Sequence, residues 1–484
     1  MKFHFRLLLA CLLSASSAAA APKPNVVVIL ADDLGYGDVH ALHSESRIAT
    51  PALDQLAREG MIFTDAHSSS SVCTPSRYSL LTGRYAWRTH LQKGVLGGFA
   101  PPLIAPDRLT LASFLREQGY TTACVGKWHL GMTLSKDGKG TIPDGPLTRG
   151  FDHFFGISAS LDMPPYAFFE DDHFTAPLDT QKAFFPKRLG PAARDFEAID
   201  VLPSLTDRAV KFIRKQAASP QPFLLYLPLT SPHTPIAPTS EWKGKSPMGS
   251  YADFVMQTDD TVRQIMAALK ETDQSDHTLL VFSSDNGFAP AAGTQALESQ
   301  GHFPSAGYRG YKSDIWEGGH RIPLIVRLPG ITLPGSKSTD LVCLGDLIRT
   351  CSDLLEVPLP AHAGEDSISF LPSLRGQPGL RTSLIHHSEN GNFAIRQGNW
   401  KLEFCPGSGG WGNPTNKLAI ERKLPSKQLY RLSSDPAELS NLYHSPDTPV
   451  ADLTRQLRRQ ISSGRSTSGP DQPNDVEVAV EFLH

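Results

Sequence analysis

Apolar and polar positions are distributed along this chain in two textures. Three runs are apolar almost without interruption: Asn25 to Ala31 (NVVVILA), Pro222 to Leu227 (PFLLYL) and Thr278 to Ser283 (TLLVFS). Runs this rich in β-branched and large side chains have no polar face, so they predict strands covered on both sides, as in a parallel sheet. Each stops at a polar cluster: Asp32-Asp33-Leu34-Gly35-Tyr36-Gly37, Ser231-Pro232-His233-Thr234-Pro235, and Ser284-Asp285-Asn286-Gly287. Between the runs, helical spacing covers Pro51 to Glu59, Leu109 to Gln118, Leu205 to Gln216 and Tyr251 to Leu269. Strands alternating with helices predict an α/β fold, a large doubly wound mixed or parallel sheet flanked by helices. Ligands of such sheets bind beyond the carboxyl ends of the strands, where the three polar clusters fall.

The second texture begins near Pro372. Phe393 to Arg396 and Trp400 to Phe404 read as short amphipathic strands around a Gly398-Asn399 turn, and Gln428 to Leu432 as a third. Val450 to Ile461 has helical spacing, with Leu453 and Leu457 on one face. The expected organisation is an α/β domain over residues 21–372 and a smaller C-terminal α+β domain over 373–484. The segment 462–474, rich in Ser, Gly, Pro and Asp, is expected to be loose.

The first 20 residues read as a secretory leader: Lys2 and Arg6, an apolar run from Leu7 to Leu13, then Ala18-Ala19-Ala20 as a small-residue cleavage site. Leu-Leu-Ala-Cys at residues 8 to 11 also has the shape of a lipidation site, but Cys11 precedes an adequate apolar core. The leader predicts a secreted or periplasmic protein without stable membrane insertion. A formal net charge of -3 gives no reason to expect nucleic acid as a partner. Six cysteines, five without Cys11, are too few and too scattered for a disulfide framework, and no CxxC pair suggests zinc.

Asp32-Asp33 and Asp285-Asn286 place carboxylates side by side at strand ends. Adjacent acids in a partly dry site repel unless a cation compensates, and oxygen-only ligands suit Ca²⁺ or, less well, Mg²⁺. The alternative is that Asp32 and Asp285 cap the helices that follow. Cys73-Thr74-Pro75-Ser76-Arg77 places a cysteine at a helix start with an arginine one turn on. Taken alone, that cysteine is either a low-pKa nucleophile or a buried small residue.

Cys73 to Arg77 matches the CxPSR signature of type I sulfatases, members of the alkaline phosphatase-like superfamily in which this cysteine is oxidised to formylglycine. The second signature, GKWHLG, stands at 126–131, and ADDLGYGD at 31–38, SPHTP at 231–235, SDNG at 284–287 and YKSDIWEGGHRIP at 311–323 follow the family order. The chain therefore resembles that family over roughly residues 24–445. The resemblance implies a calcium site of Asp32, Asp33, Asp285, Asn286 and the modified Cys73. It also implies that a hydroxyl of the hydrated aldehyde attacks sulfur, with Asp285 as its base and Arg77 holding the diol. Lys127 and Lys312 would contact the sulfate oxygens, His233, alone or shared with Lys312, would donate to the leaving alcohol, and His129 would accept the proton whose loss expels sulfate. A sulfated carbohydrate or aryl sulfate is the implied substrate, and an enzyme that oxidises Cys73 the implied partner. Two rivals share the superfamily: a phosphate or phosphonate ester hydrolase, and a catalytically silent carbohydrate-binding relative. His302 and His320 are loop or substrate-pocket candidates, and the segment 157–172 (ISASLDMPPYAFFEDD) either binds sugar or packs internally.

Overall fold

The Asn25–Ala31 strand is buried along its whole length and sits in the middle of a ten-stranded sheet. In this computed structural model, which describes residues 23–135 and 137–478, it pairs in parallel with Phe223–Pro228 on one side and Thr278–Ser284 on the other. Thr121–Lys127 and His153–Ile157 extend the parallel region, while Leu324–Arg327 and Met61–Phe63 continue the other side antiparallel. The period-two geometry of a strand explains its unbroken hydrophobicity. Val27, Ile29 and Ala31 enter one core with the helices Pro51–Glu59, Ala198–Gln216 and Ser250–Glu271. Val26, Val28 and Leu30 enter a second core with the helices Cys73–Thr82 and Leu111–Glu117. The sheet is thus wound on both faces.

Two differences from the sequence pattern have simple causes. The fourth helix begins at Ala198 rather than Leu205, and Pro203 lies inside it. Proline lacks an N–H and usually marks a helix start, so the pattern resumed only beyond it. The strand Thr121–Lys127 escaped notice because Gly126 and Lys127 end it. Gly126 has φ 146°, and a Cβ there would lie 1.9 Å from the Pro228 carbonyl oxygen, so no other residue lets these strands close.

Four antiparallel strands, Ser383–His387, Phe393–Gln397, Trp400–Glu403 and Gln428–Arg431, form the second sheet in sequence order. The helix Val450–Ser462 lays Leu453, Leu457 and Ile461 against Ile395 and Leu402. The segment after it is not loose. Ser466 N and Thr467 N donate to Glu365 O, and Arg84 Nη2 donates to Pro473 O at 3.1 Å. Arg88 Nη1 reaches Asn474 Oδ1 at 3.0 Å, while Asp475 donates its N–H to Arg88 O and takes an ion pair from Arg84 at 3.0 Å. Polar composition suggested disorder, but the buried Arg84 and Arg88, just beyond the Cys73–Thr82 helix, supply the partners that tie the segment down. The expected leader and Cys11 lie outside the described residues.

Candidate active site

The polar clusters converge at the carboxyl edge of the parallel strands. Cys73 opens the helix Cys73–Thr82, all ten residues of which are buried. Pro75 occupies its first turn, where no N–H donor is needed. Gly83, at φ 65°, terminates it in a left-handed cap. Arg77, one turn along, donates from Nε and Nη2 to Asp285 Oδ2 at 2.9 and 2.7 Å, and its Nη2 lies 3.4 Å from Asp32 Oδ1.

A regular strand would send Asp32 and Asp33 to opposite faces. Asp33 instead has φ 66°, and both carboxylates turn to Cys73, whose Sγ lies 3.6 Å from Asp32 Oδ1 and 4.0 Å from Asp33 Oδ1. Lys127 Nζ bonds both Asp32 oxygens at 2.9 and 2.7 Å. Lys312 Nζ lies 2.6 Å from Asp33 Oδ1 and 3.4 Å from Cys73 Sγ. Left-handed φ values at His129 (57°) and Ser313 (84°) sit in the same place. Such conformations cost about 1–3 kcal/mol each and persist where the surroundings over-determine them, as at working sites.

The charges explain the protonation states. Burial raises the Asp32 carboxyl, but Lys127, His233 and Arg77 together hold it below its ordinary range. Burial likewise opposes ionisation of Asp33, and Lys312 and His233 outweigh it. Burial, with Asp285 beside it, pushes the Cys73 thiol well up, so the residue is a neutral thiol and not a low-pKa nucleophile. Burial, then Lys127 and Arg77, holds His129 well below the usual imidazole range. Its Nε2 faces the Leu96 carbonyl at 2.8 Å and must donate to it. Nδ1 is then the bare lone pair, and it has no partner among the described residues. His233 Nδ1 donates to Thr234 O, which leaves Nε2 facing Ser160 Oγ at 3.2 Å and Asp33 Oδ2 at 3.5 Å.

The donor set fits a hard cation. Asp32, Asp33 and Asp285 are fully buried carboxylates beside one another. Asn286 donates from Nδ2 to Asp33 at 2.8 Å, while its buried Oδ1 has no hydrogen-bond partner among the described residues. An amide oxygen left over beside three carboxylates is what an oxygen-coordinated divalent ion requires. Neither Asp32 nor Asp285 caps a helix: after the first comes a loop, after the second the loop of Asn286 and Gly287.

All ten predicted residues meet here, below a cavity of about 280 Å³. His302 and His320 do not. His302 is buried against Asp38 at 2.8 Å, and His320 is buried in a stack with His386. Neither lines the cavity, because both satisfy themselves inside the protein. Sequence reasoning missed the cavity walls: Ser160, Asp162, Arg188, Glu389 and Trp411. Only Ser160 and Asp162 carried a signal, in the polar-aromatic segment 157–172. Its aromatics pack internally: Tyr166 against Phe184, and Phe168 against Phe155.

The Sulfatase family model matches residues 24–357. The chain belongs to the sulfatase family. It is a sulfuric ester hydrolase with the alkaline phosphatase-like fold. This sulfatase is 32% identical to an N-acetylgalactosamine-6-O-sulfatase of Bacteroides thetaiotaomicron, over 90% of this chain and 92% of that protein. It is 31% identical to arylsulfatase G of Rattus norvegicus, over 89% of this chain and 84% of the relative. A solved sulfatase of Bacteroides thetaiotaomicron, described for metabolism of multiple glycosaminoglycans, superposes with TM-score 0.82 at 31% identity, covering 91% of this chain and 99% of that one. A phosphonate monoester hydrolase of Silicibacter pomeroyi shares the fold at TM-score 0.62 and 19% identity, over 91% of this sulfatase and 94% of that chain.

Proposed function

We propose that this sulfatase removes sulfate from a carbohydrate, using a formylglycine made from Cys73 and a calcium ion held by Asp32, Asp33, Asp285 and Asn286. One observation carries the reading: Cys73 lies at the floor of the cavity, between paired carboxylates and Lys312, with His129 and His233 on the walls. A neutral buried thiol is a poor nucleophile. Converted to an aldehyde and hydrated, the residue supplies two hydroxyls on one carbon, one to attack sulfur and one to release sulfate afterwards. Calcium supplies positive charge and lowers the pKa of a neighbouring hydroxyl.

The protein's own groups account for the rest. A sulfate ester needs positive charge fixed around its oxygens, and Lys127, Lys312 and Arg77 provide it in a buried setting, where it acts strongly. Asp285, held by two bonds from Arg77, is oriented to take the proton of the attacking hydroxyl. His233, as the imidazolium with its Nδ1–H committed to Thr234 O, gives its Nε2 proton to the leaving alcohol. His129, with a bare Nδ1, accepts the proton that accompanies sulfate release. The carbohydrate substrate is supported by the relative whose name specifies N-acetylgalactosamine. A maturation enzyme acting on Cys73, and export to the periplasm or beyond by the leader at residues 1–20, complete the proposal.

The test is a mass spectrum of the Cys73 peptide from active protein co-expressed with a maturation enzyme. We expect a loss of about 18 Da relative to the cysteine form, the thiol-to-aldehyde change of this covalent mechanism. An unmodified cysteine in protein that still cleaves sulfate esters would overturn the mechanism.

A further inference from the structure

The cavity above Cys73 has a wall that the chemistry at its floor does not use. Asp162 follows the His153–Ile157 strand and is 5% exposed. Its Oδ2 pairs with Arg188 at 3.0 Å, and its Oδ1 has no hydrogen-bond partner among the described residues. The pair is built rather than incidental. The Tyr166 hydroxyl lies 2.6 Å from the Arg188 carbonyl and 3.1 Å from the Asp162 carbonyl, so one buried phenol donates between both backbones. The Arg188 side chain stays partly open, with 41% exposure. The same cavity is lined by Glu389 and the half-exposed Trp411 from the C-terminal part of the chain.

We propose that Asp162 and Arg188 form the subsite that reads ring hydroxyls of the sugar carrying the sulfate. The inference rests on the carbohydrate reading above and specifies how the sugar is chosen. A buried carboxylate oxygen without a donor is unfavourable, and a hydroxyl entering the cavity relieves it. Beside it, the guanidinium offers donors in a fixed plane. Acceptor and donor side by side match two neighbouring hydroxyls of one ring, each of which both donates and accepts. An aryl sulfate offers no such groups. A cavity of about 280 Å³ falls at the small end of ligand sites, which suits one sulfated ring with Trp411 at its side.

The test compares two substrates on protein whose Cys73 aldehyde has been verified by mass. These are the N-acetylgalactosamine sulfate ester named for the bacterial relative and para-nitrophenyl sulfate. In Asp162→Ala and in Arg188→Ala, the ratio of kcat/KM for the sugar to that for the aryl ester should fall by ~30-fold or more, as expected where a site built to bond hydroxyls loses a partner. Arg188→Ala alters a partly exposed side chain and serves as the second variant should Asp162→Ala fail to fold. A ratio within about threefold of wild type in folded variants overturns the subsite. A wild-type enzyme that hydrolyses the aryl ester and no sulfated sugar instead overturns the carbohydrate reading, and the subsite with it.

Discussion

Among the buried clusters of ionisable side chains in this sulfatase, two are joined by one segment of chain. Around Cys73, carboxylates and cations face a cavity. Around Lys401, between the two sheets, Glu317, His320, His67 and His386 are equally buried, with Asp65, Arg321 and Arg396 as further partners, and none of them lines that cavity. Each brings together four side chains of metal-binding type. In the second cluster, however, the His320 and His386 rings stack at 3.6 Å with 15° between their planes. Ring-nitrogen lone pairs lie in the ring plane, so no ion at a ligand distance of about 2 Å lies in both planes. Lys401 already supplies the cation, with Nζ 2.7 Å from Glu438, 3.2 Å from Glu317 and 2.9 Å from the Ile315 carbonyl. Burial and charge alone therefore do not define a functional centre. A lone pair left without a partner on the lining of a cavity does, as at His129 Nδ1.

The segment 311–323 spans both. Lys312 faces Cys73, while Glu317, His320 and Arg321 face Lys401 and Asp65. Between them Ser313 donates its N–H to Ser71 O, receives the N–H of Glu389 at its carbonyl, and receives the N–H of Trp411 at its hydroxyl. A Cβ at Gly410 would lie 2.3 Å from Ser313 O, so the contact requires glycine.

The contrast breaks most sharply at Cys73. Cys73→Ala should lower turnover of sulfate esters by ~10⁴-fold or more while thermal unfolding stays near wild type, since in the proposed mechanism this residue carries the covalent step. Equal loss of activity and stability would mean that the first cluster is scaffold as well. Lys401→Met should do the reverse, lowering the unfolding free energy by about 3–5 kcal/mol in denaturant titrations, because it leaves buried carboxylates without their cation. A variant of wild-type stability would show that Lys401 is dispensable as a clamp.

The smallest effect is one of pH. Burial holds His387 down at about 4, against an ordinary 6.5. Below 6.5 the unfolded chain binds a proton that the folded one refuses, so this residue's contribution is complete above 6.5 and lost as pH falls towards 4. Asp259 and Asp314, raised by burial to about 6, act in the opposite direction, so the difference between variants is the informative quantity. His387→Phe should flatten the stability slope in that window by at most about 1.4 kcal/mol per pH unit. An unchanged slope would place the titration elsewhere.

The first cluster was legible in the sequence because its residues follow buried strands and fall in short motifs. The run from Asn25 to Ala31 announces its own strand and leads into Asp32. The second cluster was not, since Lys401, Glu403 and Glu438 look like ordinary strand and loop charges until the two sheets close on them. Arg188 and Trp411 were also invisible. They lie far from Asp162 in sequence, in loops without periodicity, and only packing brings them to one cavity.

The strap formed by the residues around 475 concerns time as much as structure. Arg84, just beyond the Cys73 helix, waits for a partner 391 residues downstream. At ribosomal speeds of about 5–20 residues per second, that separation is roughly 20–80 s. During that interval the end of the Cys73 helix lacks its final seal, although its own sequence has long been made. For the maturation enzyme proposed above to reach Cys73 before burial, the opening would have a length set by translation rather than by folding.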